Sequence, residues 1–565
     1  MTELKKSDIV IVGGVAAGPK TAATLARRMP KAKITLFEKD RHISFGTCGL
    51  PYFASGDIDS FRELTVTSYG VPRDVDFFKK TKGFDVITGA KIINIDRSNK
   101  TVTVKEANDG VIYKYGFDKL VLATGATPQK TPFPIPESPK IRHFTRPEDA
   151  MEFRKAAQQG QIGKAVIIGG GFIGCELAEA VGGMWGIETV LVEKEVSLLP
   201  YLLDPEMAAI AQRELIRNNI EVRLSSCVEK IGLDDNGNPV IYIQNSAPIA
   251  ADFVFLCLGV KPNVDLARDA GLEIGETGAI KINRNMLTSD PNIYAGGDCV
   301  ESECLVSGRK LYIPMGSLAN RHGHVIAENI AGNKTEFPGV TGAFLVKVFD
   351  TNIGSVGINE KTAEVCGLKA RSVWGAFVDK PDYYPESKSF TLKMIYDENS
   401  DRLLGLQAVG SGDICRRIDV FSSFLLKKSK INDLLDFEQG YAPPYSEAID
   451  PLYHLTTMAQ AQQRGISFAK PGITIEKGNV LWLDVRETEE AAEDPWQLPE
   501  EIKKDHYINI PLNDLRDNLD KVKNFDKIRI VCRRGPRSYQ AAIILRDAGY
   551  ENVYISSGGT QAALA

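Results

Sequence analysis

One short construction occurs twice in this chain and constrains the fold more than any other feature. The run Ala165-Val166-Ile167-Ile168 reads as a buried strand, Gly169-Gly170-Gly171-Phe172-Ile173-Gly174 as a turn, residues 175–185 as a helix, and residues 189–193 as a second strand closed by Glu193. Upstream, Asp8-Ile9-Val10-Ile11-Val12 runs into Gly13-Gly14-Val15-Ala16-Ala17-Gly18, then a helix through Arg28 and a strand over 33–38 closed by Glu38. Glycines at 169, 171 and 174 let the backbone approach a pyrophosphate, which rests on the helix N-terminus. The first unit is less regular: Val15 stands where its second glycine would fall, leaving Gly13 and Gly18. Two such units form an internal repeat of the dinucleotide-binding fold and imply two dinucleotide sites. An acid ending the strand after each turn suits a ribose, and Glu193 would repel a 2′-phosphate. The second site therefore favours NADH, with Lys194 leaving room for NADPH. A flavin in the first site is the natural complement.

A chain of 565 residues is too long for one core and predicts three or four domains. Two further segments, 120–125 with Thr124-Gly125 and 253–259, read as strand-to-turn junctions. Ile293-Tyr294-Ala295-Gly296-Gly297-Asp298 is a small-residue turn, in which Gly297 and Asp298 would meet the ribityl or phosphate end of a flavin. From about Gly339 shorter alternating strands, such as 341–349 and 389–396, suggest an α+β domain. Residues 453–471 are polar, rich in glutamine and end in Pro471-Gly472, which reads as a linker. The remainder alternates strands and helices as a small α/β domain.

The formal charge of −5 gives no support to nucleic-acid binding as the main task. Nine cysteines without any Cys-x-x-Cys argue against a structural zinc site and a secreted disulfide framework, so no metal is expected. No apolar run reaches the ~18–20 residues of a membrane helix, and no signal peptide is evident. The expectation is a cytoplasmic protein with no membrane partner.

Two of the cysteines carry the chemistry. Cys48 stands in Ser44-Phe45-Gly46-Thr47-Cys48-Gly49-Leu50-Pro51, just downstream of the first dinucleotide unit. Cys532 opens Cys532-Arg533-Arg534-Gly535-Pro536-Arg537 after a predicted strand. Thiolates attack sulfur, and both contexts offer ways to lower a thiol pKa. A thiol beside a redox cofactor and a thiol in a glycine-containing basic loop point to sulfur chemistry supplied with electrons by a nicotinamide and a flavin.

Residues 13–18, Glu38, Ala123-Thr124-Gly125, residues 169–174 and Gly296-Gly297-Asp298 together resemble the flavoprotein disulfide reductases with two dinucleotide domains, over about 7–452. The Cys48 segment resembles their single-cysteine branch, which includes coenzyme A-disulfide reductases, NADH oxidases and peroxidases, and NADH-dependent persulfide reductases. Ala16 stands where the peroxidases carry a histidine. The segments 482–487, 508–512, 532–537 and 557–559 resemble a rhodanese domain, and the four residues between Cys532 and Arg537 match the sulfurtransferase loop length rather than the longer phosphatase one.

The resemblance implies an α/β chain of two Rossmann-like dinucleotide-binding domains, an α+β dimerisation domain and a C-terminal α/β rhodanese domain. The expected boundaries are FAD-binding 1–148 and 264–335, NAD-binding 149–263, dimerisation 336–452, linker 453–470 and rhodanese 471–565. It further implies Cys48 as the flavin-facing nucleophile, Cys532 as sulfane-sulfur acceptor, and Tyr441 as a hydroxyl reaching the partner's site in a homodimer. A second tyrosine maps to Tyr383 or Tyr384. Arg27, with Ser44 and Thr47, maps to a coenzyme A subsite, and Arg533, Arg534 and Arg537 add positive charge beside Cys532. The expected activity is FAD-dependent reduction of small persulfide, polysulfide or coenzyme A disulfide substrates by NAD(P)H. The alternatives are an NADH oxidase or plain coenzyme A-disulfide reductase with an accessory rhodanese, and a sulfur-carrier sulfurtransferase with a redox-sensing flavin domain.

Overall fold

Alternation of short β-branched runs with amphipathic helices drives the chain into parallel sheets. A computed structural model describes residues 4–470, 478–496 and 498–562. It divides into two compact units, Met1–Lys194 with Ser226–Val340 and Glu195–Ser225 with Thr341–Ala565. Among the described residues, no helix is long and apolar enough to cross a membrane.

In the first unit, the strand Lys6–Val12 lies between Ile34–Phe37 and Ile112–Leu122, all parallel, with Asp85–Ile87 outside Ile34–Phe37. Ile9, Val10 and Ile11 are buried because helix and sheet cover both faces, which is why the run is continuously apolar. The late strand Ile293–Ala295 returns to pair with Ile112–Leu122. An antiparallel meander, Ala90–Asp96 with Thr101–Glu106, extends from the same long strand. The second parallel sheet sets Lys164–Ile168 between Glu188–Val192 and Phe253–Leu256. Its outer strand Ile141–His143 lies ahead of the expected 148/149 boundary. The helix expected over 175–185 is an α-helix, Phe172–Ala178, that continues as the wider π-turn Glu179–Met184.

In the second unit, a five-stranded antiparallel sheet runs in the order Phe344–Val348, Thr351–Gly357, Leu403–Gly410, Ser389–Asp397, Ala370–Val378. Asp204, Glu206 and Glu360 converge on the fully buried Lys393, whose Nζ lies 2.5, 2.7 and 3.3 Å from their carboxylates. An ammonium therefore occupies the centre of this acidic group. The C-terminal sheet is parallel, in the order Ser467–Ala469, Val553–Ser556, Lys527–Val531, Val480–Asp484, Tyr507–Asn509. Buried Asp484 closes its Val480–Asp484 strand, pairing with buried Arg486 at 2.7 Å and accepting the Tyr507 hydroxyl at 3.1 Å.

The linker expected at 453–470 is instead structured. Asp450 caps the helix Pro451–Gln463 by accepting the Leu452 N–H at 2.9 Å, with Pro451 in its first turn. Leu452, Leu455 and Ala459 bury one face. The polar residues that made the segment look like a linker have partners: Thr456 Oγ1 donates to Leu452 O at 2.9 Å, and Gln462 accepts the Tyr396 hydroxyl at 2.8 Å. Gly465, at φ 88°, ends the turn, and Ser467–Ala469 pairs directly with Val553–Ser556. The C-terminal sheet thus begins before the expected 471 boundary, which itself lies outside the described residues.

Candidate active site

The two glycine turns superpose in their constraints. Gly13 and Gly169 have φ of 110° and 111°, a region open to glycine. A Cβ on Gly18 would fall 1.9 Å from Gly13 O, and one on Gly174 would fall 1.9 Å from Gly169 O. A Cβ on Gly13 would strike Ala123 O at 2.0 Å, and one on Gly169 would strike Cys257 O at 2.3 Å. Nothing would meet a Cβ on Gly171, so this glycine keeps open space rather than a contact. Glu38 and Glu193, both buried, accept the N–H groups of Gly14 and Gly170 at 2.6 Å. Glu38 also accepts the Asp40 N–H at 2.9 Å, and burial still pushes its carboxyl pKa up. Each acid therefore braces its own turn.

The Thr124-Gly125 turn is pinned by Asn263, a residue the sequence reading passed over. Thr124 Oγ1 donates to Asn263 O at 2.7 Å, Asn263 Nδ2 returns to Thr124 O at 2.8 Å, and Asn263 N–H donates to Gly125 O at 2.9 Å. Gly297, at φ 80°, donates its N–H to His322 Nδ1 at 3.2 Å. His322 is buried, and burial lowers its pKa to about 4, so the ring accepts this bond as neutral imidazole. Asp298 is carried up to about 6 by burial, against a hydrogen bond from the Met315 backbone.

Cys48 is solvent-exposed in the short turn Thr47–Gly49, ahead of the helix Leu50–Ser55. A Cβ on Gly49 would fall 2.3 Å from Leu64 Cδ2, so the Leu64 side chain would have to shift to admit one. Three residues hold this helix to the second dinucleotide fold. Tyr52 donates to Glu176 Oε1 at 3.3 Å, Trp185 Nε1 to Ala54 O at 2.8 Å, and Arg154 Nη1 to Phe53 O at 3.0 Å and Ile58 O at 2.7 Å. The electrostatics run against the expected thiol activation. Partial burial in this recess, then the nearby charges of Glu176 and Asp298, push the Cys48 thiol up. Glu176 is itself raised to about 7, chiefly by burial. Its position two residues after Gly174, on the helix that opens from the second glycine turn, was the available signal for it.

Ser44 has φ 48° and donates its N–H to Gly14 O at 2.8 Å, which ties the cysteine segment to the first turn. Thr47 is exposed, as is Arg27, whose guanidinium reaches Thr24 Oγ1 at 3.3 Å.

In the second unit, Cys532 is 1% exposed and its Sγ accepts the Gly535 N–H at 3.0 Å. Gly535 (φ 132°) caps the helix Pro536–Asp547. A Cβ on Gly559 would lie 2.2 Å from Cys532 O, so the glycine turn after Ser557 presses directly on the loop. Two of the three arginines expected to add positive charge beside Cys532 are paired with carboxylates. Arg537 forms a two-pronged pair with Glu490 at 2.7 and 2.8 Å, and Arg534 reaches Asp382 at 2.5 Å and Gln561 at 3.1 Å. Both charges are largely spent on carboxylates, and Arg533 is the exposed member. Tyr441 and Tyr383 are both exposed and hydrogen-bonded, and partial desolvation with this bond raises the Tyr383 pKa. Tyr383 rather than Tyr384 is thus the neighbour of Tyr441.

Residues 7–321 match the pyridine nucleotide-disulphide oxidoreductase family, 344–453 its dimerisation domain, and 474–565 the rhodanese-like domain. The chain is 33% identical to an NAD(P)H sulfur oxidoreductase (CoA-dependent) of Pyrococcus abyssi, over 79% of this chain and 97% of that one. Among solved structures it resembles a NAD-dependent persulfide reductase from A. fulgidus, with TM-score 0.93 and 38% identity over 98% of this chain and 100% of that one. It also resembles the reduced CoADR-RHD of Bacillus anthracis, with TM-score 0.88 and 31% identity over 99% of this chain and 97% of that one.

Proposed function

The chain belongs to the pyridine nucleotide-disulphide oxidoreductase family, and on that premise we propose that it reduces persulfide, polysulfide or coenzyme A disulfide sulfur with NAD(P)H and FAD. Cys48 is the nucleophile of the reducing site, and Cys532 accepts and relays sulfane sulfur. The observation that carries this reading is the exposed thiol of Cys48 ahead of a helix that Tyr52 and Arg154 hold against the second of two matched dinucleotide cradles.

The first cradle fits a flavin dinucleotide. Gly13 and Gly18 leave no room for a Cβ and so let backbone amides approach a pyrophosphate, and Glu38, Thr124, Gly125, Gly297 and Asp298 complete the holding set. Gly169 and Gly174 fit a nicotinamide dinucleotide in the same way, with Gly171 keeping open space and Glu193 bracing the turn. FAD, when bound, supplies passage of an electron pair from the nicotinamide to sulfur.

The chain's own part is to present the thiolate and exclude competing sulfur chemistry. Cys48 Sγ attacks a sulfur of the substrate and forms a mixed disulfide or persulfide; one thiol suffices because the other sulfur comes from the substrate. For a persulfide the net change is RSSH + NADH → RSH + HS⁻ + NAD⁺. Glu176, at about 7, is the carboxyl beside Cys48 able to hold a proton near neutral pH. Tyr441, with Tyr383, serves the reducing site of a second copy in a homodimer, in keeping with the dimerisation-domain match. Arg27, Ser44 and Thr47 form a coenzyme A subsite, which the CoA-dependence in the Pyrococcus abyssi relative's name supports. Arg533, exposed, meets the incoming anionic sulfur donor, while Arg537 positions the loop through Glu490.

The test is anaerobic NADH oxidation with polysulfide, coenzyme A persulfide or coenzyme A disulfide, with released HS⁻ and thiol measured. Stoichiometric, oxygen-independent turnover is expected. NADH consumption that requires oxygen would make the protein an oxidase, and sulfur transfer with no NADH turnover would make it a carrier.

A further inference from the structure

The loop of Cys532 carries two arginines that face opposite ways. Arg537 turns inward to Glu490 of the rhodanese-like domain. Arg534 leaves that domain and pairs with Asp382 of the preceding dimerisation domain at 2.5 Å. Asp382 adjoins Tyr383, and Tyr383 is hydrogen-bonded to Tyr441. One ion pair and one peptide bond thus join the sulfur-bearing loop to Tyr383, and a hydrogen bond carries the connection to Tyr441.

The receiving segment is well staked. Asp379 Oδ1 accepts the Lys388 N–H at 2.9 Å and Ser387 Oγ donates to Lys380 O at 2.8 Å, closing the loop that bears Asp382. Glu447 also lies near the pair; burial raises its carboxyl, and the Arg534 charge opposes that rise. Among the described residues, the connection between the domains includes the helix Pro451–Gln463 and the strand Ser467–Ala469.

The geometry points to the Arg534–Asp382 pair as a latch that fixes the Cys532 loop against the tyrosine-bearing segment and so sets the efficiency of sulfur hand-off from Cys532 to the carrier thiol, a step that transfer to free cyanide bypasses. Arg534 and Asp382 are positioning residues; neither binds the migrating sulfur. This rests on the relay reading above. In the step concerned, a small carrier thiolate attacks the outer sulfur of the Cys532 persulfide: Cys532–S–S⁻ + RS⁻ → Cys532–S⁻ + R–S–S⁻. One S–S bond breaks and one forms, with no net oxidation, and the carrier persulfide then goes to Cys48. Exposed ion pairs add little to stability, so loss of the latch should move the geometry of transfer and leave the fold intact.

The experiment compares full-length wild type, Asp382→Asn, and the charge swap Asp382→Arg with Arg534→Asp. Polysulfide is the donor, with catalytic coenzyme A as carrier thiol. Asp382→Asn should slow NADH-dependent polysulfide reduction about fivefold. It should leave thiosulfate-to-cyanide transfer and coenzyme A disulfide reduction at wild-type rates. The swap should restore most of the loss, and raising salt from ~50 to ~500 mM should slow wild type more than it slows Asp382→Asn. Unchanged polysulfide reduction in Asp382→Asn, or no rescue in the swap, would overturn the latch. Hydrogen exchange of the peptide spanning 533–535 gives a readout independent of the relay reading. Faster exchange in Asp382→Asn supports the latch, and unchanged exchange overturns it. Absence of polysulfide turnover in wild type would instead overturn the proposed function.

Discussion

Cys48 and Cys532 are held by opposite means. Cys48 is open to solvent, yet its protein surroundings disfavour the thiolate: partial burial and the carboxyls of Glu176 and Asp298 all push its pKa up. Cys532 is covered by its own loop, and the groups around it are a backbone N–H at 3.0 Å and the start of a helix. One site gives access without protein-supplied activation, and the other gives a cradle with little access. The contrast suits a division of labour. A reducing thiol must meet varied substrates and relies on the bound cofactor for its redox drive, whereas a sulfur-carrying thiol must protect a reactive persulfide anion from solvent.

The largest effect that would break this comparison is exchange of the two activities. Cys48→Ser should retain flavin and thiosulfate-to-cyanide transfer but lose NADH-dependent reduction of every sulfur substrate, by about three orders of magnitude or more. Cys532→Ser should lose the transfer reaction to the same degree and keep reduction of coenzyme A disulfide. Loss of both activities in either variant would show that the thiols do not divide the chemistry. The next effect is access. At pH 9, iodoacetamide should modify Cys48 at least about tenfold faster than Cys532, as peptide mass analysis would read. Equal rates would mean that the loop over Cys532 opens freely.

Glu176 sharpens the electrostatic half of the contrast. Its carboxyl titrates near 7, so raising pH through that value adds a negative charge beside Cys48 and opposes thiol ionisation. Wild type should therefore show a shallow rise of Cys48 alkylation between pH 6.5 and 8.5, set chiefly by this coupling. Glu176→Gln removes the charge, and alkylation at pH 7.5 should become a few-fold faster with a steeper pH profile. A slower or unchanged rate would place the opposing charge elsewhere.

The parts of this site that were legible in the sequence are those whose geometry is local. Gly13 to Gly18 and Gly169 to Gly174 must satisfy a turn within six residues, so their spacing announces them. Cys48 stands out by the local motif around it, and Cys532 by the glycine-containing basic loop that it opens. What stayed hidden depends on pairing across the sequence. Tyr52 and Glu176 are 124 residues apart, Thr124 and Asn263 are 139 apart, and Arg534 and Asp382 are 152 apart. The helix Pro451–Gln463 was misread as a linker for the same reason: its threonine and glutamine side chains find distant partners, so polarity did not mean exposure. The arginines of the Cys532 loop looked like free charge until Glu490 and Asp382 were beside them.

The last contrast concerns the two cradles, which are nearly the same object in different parts of the first unit. Each has an acid at the end of its second strand, and each acid accepts a glycine N–H at 2.6 Å. That shared bond braces the turn, so it cannot by itself explain a preference for one cofactor. The discriminating term is the negative charge of Glu193 meeting the 2′-phosphate of NADPH, softened by Lys194 next to it in sequence. Replacing Glu193 by alanine removes the repulsion and the brace together, whereas glutamine removes only the charge. The NADH-over-NADPH ratio of kcat/KM should therefore fall about tenfold in Glu193→Gln, equivalent to ~1.4 kcal/mol. Glu193→Ala should narrow the ratio similarly but also raise KM for both cofactors, because the Gly170 N–H loses its acceptor. A parent protein that prefers NADPH, or a ratio unmoved in both variants, would reduce Glu193 to a brace with no part in cofactor choice.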